Sequence, residues 1–169
     1  TQLERAVAVG REYLRRVGIE WPLHVGKEDA LGEYERIKSL LGSRSIEELM
    51  DLPQASDAAA VATIHVLVRM VPVALTLDPN LPGLLMCRAV SLILEYGNCD
   101  ASCCAYAELA TVMGPYFGDY EAGFRFAKLA YELVERRGFR RFEARTYLLC
   151  GYLMVWSSHV RAARPLLRR

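Results

Sequence analysis

The sequence predicts an all-α fold in which antiparallel helix pairs stack as an α-solenoid of about eight helices. The run Tyr106 to Leu133 reads as two amphipathic helices joined by a tight Gly-Asp turn. After that turn, Gly123, Ala127 and Ala130 recur at helical spacing, which supplies the small residues a second helix needs where it crosses the first. No stretch sustains the period-two alternation of a strand, and even VATIHVLVRMV is embedded in a segment whose length favours helix.

The elements follow in order. A helix over about 2–17 carries an apolar stripe of Leu3, Ala6, Val7, Val9, Gly10, Tyr13, Leu14 and Val17 and stops at Gly18. The linker IEWPLHVG contains the breakers Pro22 and Gly26, and a second helix then spans about 27–41, ending at Gly42. Its face is Ala30, Leu31, Tyr34, Ile37, Leu40 and Leu41. Ser45 and Glu48 form an S-x-x-E capping box, so Ile46–Met50 is expected as a short helix closed by Pro53. Ser56 or Asp57 caps the next helix, which runs to Leu77 and is apolar nearly all round. A buried central helix explains that segment better than a membrane span. Arg69 at a bilayer centre costs about 2.5–3.5 kcal/mol, and Pro72 is expected to kink or end the helix.

Pro79 and Pro82 mark a loop and a first helical turn, and a helix over about 82–96 stops at Gly97. Two pairs complete the chain, 101–115 with 119–137 and 140–156 with 160–169, the last truncated. One domain over 1–169 results, with irregular N-terminal helices over 1–55, a central apolar pair over 56–97 and two repeat-like pairs over 101–169.

Composition bounds the function. With 169 residues, 53% hydrophobic and 24% charged, the chain belongs with globular proteins. A net charge of +1 lacks the broad positive field of a nonspecific nucleic-acid binder. Five cysteines with no secretory signal pattern argue against a disulfide framework and favour a cytoplasmic setting. The chain opens on Thr1 directly into a helix and closes on ARPLLRR, which predicts a fragment whose exposed apolar ends self-associate.

Against the tetratricopeptide pattern, Tyr147, Cys150, Gly151 and Met154 take first-helix positions, and Ala163 and Leu167 take second-helix ones. In the preceding pair, Tyr106, Leu109, Ala110 and Met113 match only with a longer turn. Gly123 and Ala163 are 40 residues apart, against a period of ~34, so the array is a degenerate tetratricopeptide-like one.

Four segments taken together, GREYLRRVGIEWP, GSRSIEELMDLP, LDPNLPGLLMCRAVSLILEYGN and YFGDYEAGFRFAKLAYELVER, carry a resemblance that covers nearly the whole chain. It resembles the tetratricopeptide-like helical region of large bacterial signalling proteins. Those proteins join a serine/threonine kinase-like domain, a regulatory ATPase module, a long helical array, a GAF sensor and often a histidine kinase. The resemblance implies a coupling region between ATPase or sensor and output, and no catalytic residue of those neighbours lies in this chain.

The chain has no G-x-x-x-x-G-K-[ST], G-x-G-x-x-G, H-R-D or D-F-G signature, so ATP chemistry is not expected here and no cofactor is implied. Cys99, Cys103 and Cys104 form the most metal-like cluster, but no CxxC or neighbouring histidine completes it, and core thiols are the expected reading. His24, His65 and His159 lack a phospho-acceptor context, and Glu47, Glu48 and Glu135 read as caps and solvated faces. Arg136-Arg137, Arg140-Arg141 and Arg168-Arg169 are basic pairs, the first suited to a helix C-terminus.

Along the concave face, the positions between packing residues are Arg145, Leu148, Tyr152, Val155 and Trp156 in the last pair, and Cys104, Ala107, Thr111 and Gly114 in the one before. They are mostly apolar or small, which suits contact with protein better than a clamp for acidic peptide ends. Arg145, Tyr152 and Trp156 are the candidate partner-binding residues, with ordinary core packing as the alternative for Tyr152 and Trp156. The expected function is a noncatalytic interaction and regulatory scaffold. The alternative is a small-molecule or lipid-sensing domain in which the helices over 57–77 and 82–96 line an apolar pocket.

Overall fold

The structure, a computed structural model, describes residues 2–19 and 25–157, with side chains over 5–19 and 25–153. Among the described residues there are seven α-helices, one 3-10 turn and no strand. The helices are α1 (Gln2–Arg16), α2 (Lys27–Leu41), α3 (Ala58–Leu77), α4 (Leu81–Tyr96), α5 (Ser102–Phe117), α6 (Tyr120–Arg137) and α7 (Glu143–Ser157), with the 3-10 turn over Glu47–Asp51 between α2 and α3. His24, His159, the pair Arg168-Arg169, the helix expected over 160–169 with Ala163 and Leu167, and the Trp156 side chain lie outside what is described.

Local signals set the helix ends. The Asp57 carboxylate accepts from the Ala59 and Ala60 amides at 2.8 and 2.9 Å and starts α3. Ser45 and Glu48 form the expected reciprocal box, the Ser45 amide donating to Glu48 at 2.5 Å and the Glu48 amide to Ser45 Oγ at 3.4 Å. The segment they open is a 3-10 turn. The end expected at Pro72 does not occur, and α5 runs two residues beyond the boundary expected at about 115. α3 continues past Pro72 to Leu77, and α5 continues past Pro115 to Phe117, so each proline costs one amide donor without ending its helix.

α3 packs along α4, α4 meets α5, and α5 packs most extensively on α6, while α7 lies against both α5 and α6. The main contacts of α1 go to α3, and those of α2 go to α4. Small residues permit the α5–α6 crossing: a β-carbon at Gly123 would stand 3.1 Å from the Ala110 carbonyl oxygen and from Met113 Cβ. Ala127 and Ala130 are buried in the same contact.

The central helix is not the one that hydropathy selects. α3 is long and apolar enough, by length and composition, to cross a membrane, yet it buries one face through Ile64, Leu67, Val68, Val71 and Ala74 while Arg69, Leu75 and Leu77 are exposed. α5 takes the centre, and residues 101–110 are buried without exception. Four helices (α3, α4, α6 and α7) touch α5, so the number of neighbours decides its burial.

Asn98, fully buried between α4 and α5, ties the 3-10 turn to this centre. Its side-chain amide donates to the Leu49 carbonyl at 2.7 Å and accepts from the Tyr106 hydroxyl at 3.4 Å. Its backbone pairs with Pro53 and Ala55 at 2.8 Å each. Gly97 has φ +105°, and a β-carbon there would collide with the Pro53 carbonyl oxygen, so this approach requires glycine. Arg137 closes the other side of the turn, donating to the Met50 and Leu52 carbonyls at 2.9 and 2.7 Å. Arg137, one of the basic pair expected at a helix C-terminus, thus caps a neighbouring element as well.

Candidate docking groove and the buried pair beneath it

Between α5, α6 and α7 lies a groove of about 410 Å³ lined by Ala110, Thr111, Gly114, Tyr120, Phe124 and Tyr152 among others. Its formation follows from composition: Ala110, Gly114 and Gly123 carry little or no side chain, so the helix surfaces are low where the three elements meet, and aromatic side chains stand at the margin. Tyr120 is 71% exposed, Phe124 43% and Tyr152 53%, and Leu148 on the same helix as Tyr152 is 61% exposed. Large apolar groups in such numbers around one concavity are unusual for a surface that faces only water.

The residues read from sequence as one concave face divide into two depths. Thr111, Gly114 and Tyr152 line the groove, whereas Cys104 and Ala107 are fully buried in α5. Arg145 is also turned inward. Its guanidinium pairs with Glu108 of α5, and its Nη1 donates to the Val68 carbonyl of α3 at 3.4 Å. Val68 is the carbonyl that a residue at position 72 would satisfy inside a helix; Pro72 has no amide to give, and Arg145 supplies the missing donor.

Glu108 escaped the sequence reading. It is 1% exposed, and its Oε2 has no hydrogen-bond partner. The Cys104 thiol donates to its other oxygen at 3.6 Å. Burial pushes the Glu108 carboxyl up to about 8, against the opposing pull of the Arg145 guanidinium. A carboxyl with that affinity for protons is poised for acid–base work, but its enclosure keeps it from any substrate approaching from solvent. Its signal in the sequence was that it is the single charged residue within SCCAYAELATVMGPYF.

None of the five cysteines forms a disulfide, and all are buried. Burial pushes the Cys103 thiol up to about 11 and Cys150 up to about 12, and raises Cys99 and Cys104 as well, so all four favour the protonated thiol. The histidine absent from their neighbourhood in sequence is present in space: His65 of α3 reaches Asp100 at 2.6 Å, beside Cys99. Glu47 pairs with Arg125 at 2.5 Å, and Glu135 accepts from the Tyr147 hydroxyl at 2.6 Å, so these carboxylates join elements together.

Fold and groove together define an all-helical protein with an exposed apolar concavity. No family model, curated protein or solved structure matches the chain. The likeness to signalling proteins therefore rests on the four sequence segments quoted above.

Proposed function

We propose that this chain is a noncatalytic protein-interaction module, a degenerate tetratricopeptide-like α-solenoid whose groove between α5, α6 and α7 receives an amphipathic helix from a neighbouring domain. The observation that carries this reading is the aromatic exposure around that groove at Tyr120, Phe124 and Tyr152, with Leu148 exposed one turn before Tyr152 on the same helix. An amphipathic helix meets such a surface with apolar residues at positions i, i+3, i+4 and i+7. Support for the solenoid comes from the way α3 to α7 pack successively on their neighbours. The signalling resemblance supplies the setting, in which the module couples an ATPase or sensor to an output domain in the bacterial cytoplasm.

The test is a pair of groove substitutions, Phe124→Glu and Tyr152→Glu, in a protein carrying the neighbouring domains. Both are expected to leave thermal unfolding within about 0.5 kcal/mol of wild type while weakening interdomain association at least tenfold. Association unchanged in both variants would remove the proposal.

The groove volume favours a second reading, since about 410 Å³ falls within the range of small-molecule sites. A lipid or apolar metabolite retained in native mass spectra, and lost on Phe124→Glu, would establish a ligand-sensing domain instead.

A further inference from the structure

Where α3, the α4–α5 turn and the start of α7 meet, the fold assembles three different donor types from distant parts of the chain. His65 Nε2 lies 2.6 Å from Asp100 Oδ1, and one ring nitrogen of His65, one carboxylate oxygen of Asp100 and Cys99 Sγ all lie within 4.8 Å of one another. Tetrahedral zinc, bonded at about 2.0–2.3 Å to imidazole, carboxylate and thiolate, holds its donor atoms roughly 3.3–3.6 Å apart, a spacing of the same order as this cluster. The hydrogen-bonded His65 and Asp100 atoms, 2.6 Å apart, separate by about 0.7 Å to admit the ion between them.

The surroundings are built around these donors. Arg141 holds the second Asp100 oxygen at 3.5 Å, leaving Oδ1 turned toward His65. Phe142 packs against the imidazole with ring centroids 5.7 Å apart. The Cys99 amide donates to Ser102 Oγ at 2.9 Å, which fixes the backbone that carries the thiol. Such outer contacts orient metal ligands in the same way. The neighbouring Cys103 is differently engaged, its thiol donating to the Asp100 and Phe139 carbonyls at 3.5 and 3.6 Å.

We propose that His65, Cys99 and Asp100 form a site for one divalent cation of the zinc class, with a fourth position left to water or an exogenous ligand. The mixed nitrogen, sulfur and oxygen set selects against magnesium and calcium, which prefer oxygen alone. Three protein ligands with one open position is the arrangement of reactive zinc sites, whereas structural sites use four. The Asp100 side chain, 37% exposed, marks the side from which an exogenous ligand reaches the ion.

The experiment is a cobalt titration of the full chain, prepared without a histidine tag and stripped with chelator, monitored by absorbance. Saturation at one Co²⁺ per chain is expected, with the visible bands of a tetrahedral ion and a thiolate-to-cobalt charge-transfer band. Cys99→Ser is expected to remove the charge-transfer band, and His65→Gln and Asp100→Asn to weaken binding at least about tenfold. Cys103→Ser leaves both features intact. X-ray absorption of the zinc-loaded wild type, expected to give one sulfur neighbour among nitrogen and oxygen ones, tests the same ligand set without any substitution. Failure of the folded wild type to bind saturably, a charge-transfer band that survives Cys99→Ser, or absence of a sulfur neighbour would overturn the site.

Discussion

Asn98 and Glu108 are both polar residues buried at the centre of an apolar molecule, and they are treated differently. Around Asn98, each side-chain polar atom has a partner, and the backbone pairs on both sides with the segment that follows the 3-10 turn. Glu108 has one oxygen against Arg145 and Cys104 and the other without a partner. A neutral amide can be satisfied by fixed carbonyls and hydroxyls, so Asn98 specifies one docking of the Glu47–Asp51 turn at every pH near neutrality. A buried carboxylate keeps a desolvation cost that its guanidinium offsets only in part, so the α5–α7 contact is conditional on proton concentration.

The largest expected effect is therefore a pH dependence. Glu108 has its folded value raised to about 8 from an ordinary 4.5, so between those values the native state holds a proton that the unfolded chain releases. Its contribution to stability is fully present below about pH 4.5 and is lost as pH rises toward 8, with a slope of up to about 1.4 kcal/mol per pH unit. Urea unfolding of wild type and Glu108→Gln at pH 5.5 and 8 measures it; the glutamine variant is expected to flatten the dependence. Exposed carboxylates act in a separate window. Arg125 holds Glu47 down to about 2, so that group's contribution is lost only as pH falls below about 4.5.

Asn98→Ala is expected to cost roughly 3 kcal/mol in the same assay, because it opens a cavity, removes the shorter of two hydrogen bonds to the Leu49 carbonyl and leaves the Tyr106 hydroxyl without its partner. Unlike the loss at Glu108, this one is independent of pH between 5.5 and 8. Should it vary with pH, the contrast between the two centres fails.

Arg145→Met is expected to cost roughly 2 kcal/mol at neutral pH, less than the 3–5 kcal/mol typical of breaking a buried pair. Glu108 already holds a proton at neutral pH, which leaves the Val68 carbonyl opposite Pro72 as the main unsatisfied group. Tyr106→Phe completes the series at about 1 kcal/mol, removing only the long 3.4 Å bond to Asn98.

How legible each centre was depends on how far apart its members lie in sequence. The Ser45–Glu48 box, the Asp57 cap and the glycine stops at Gly42 and Gly97 were readable because each acts within about one helical turn. The Gly123, Ala127 and Ala130 row was readable because helical periodicity places it on one face. Arg145 reads from sequence as a partner-binding residue of the concave face, and its pairing with Glu108 is not legible there, since nothing local says which of many carboxylates it meets 37 residues away. His65 and Asp100 stand 35 residues apart, so the cysteine cluster lacked a histidine in sequence and has one in space.

The sequence by itself determined an all-helical chain, with most helix starts and stops and the small-residue crossing between α5 and α6, because amide-to-carbonyl bonds and caps close within a few residues. Only the tertiary structure decided that α5 is the centre instead of the more apolar α3, that prolines 72 and 115 are accommodated, and that Asn98, Glu108 and His65 find their partners. Burial is a count of neighbours and polar satisfaction is a matter of what those neighbours carry; both are properties of packed helices and neither is written in any one of them.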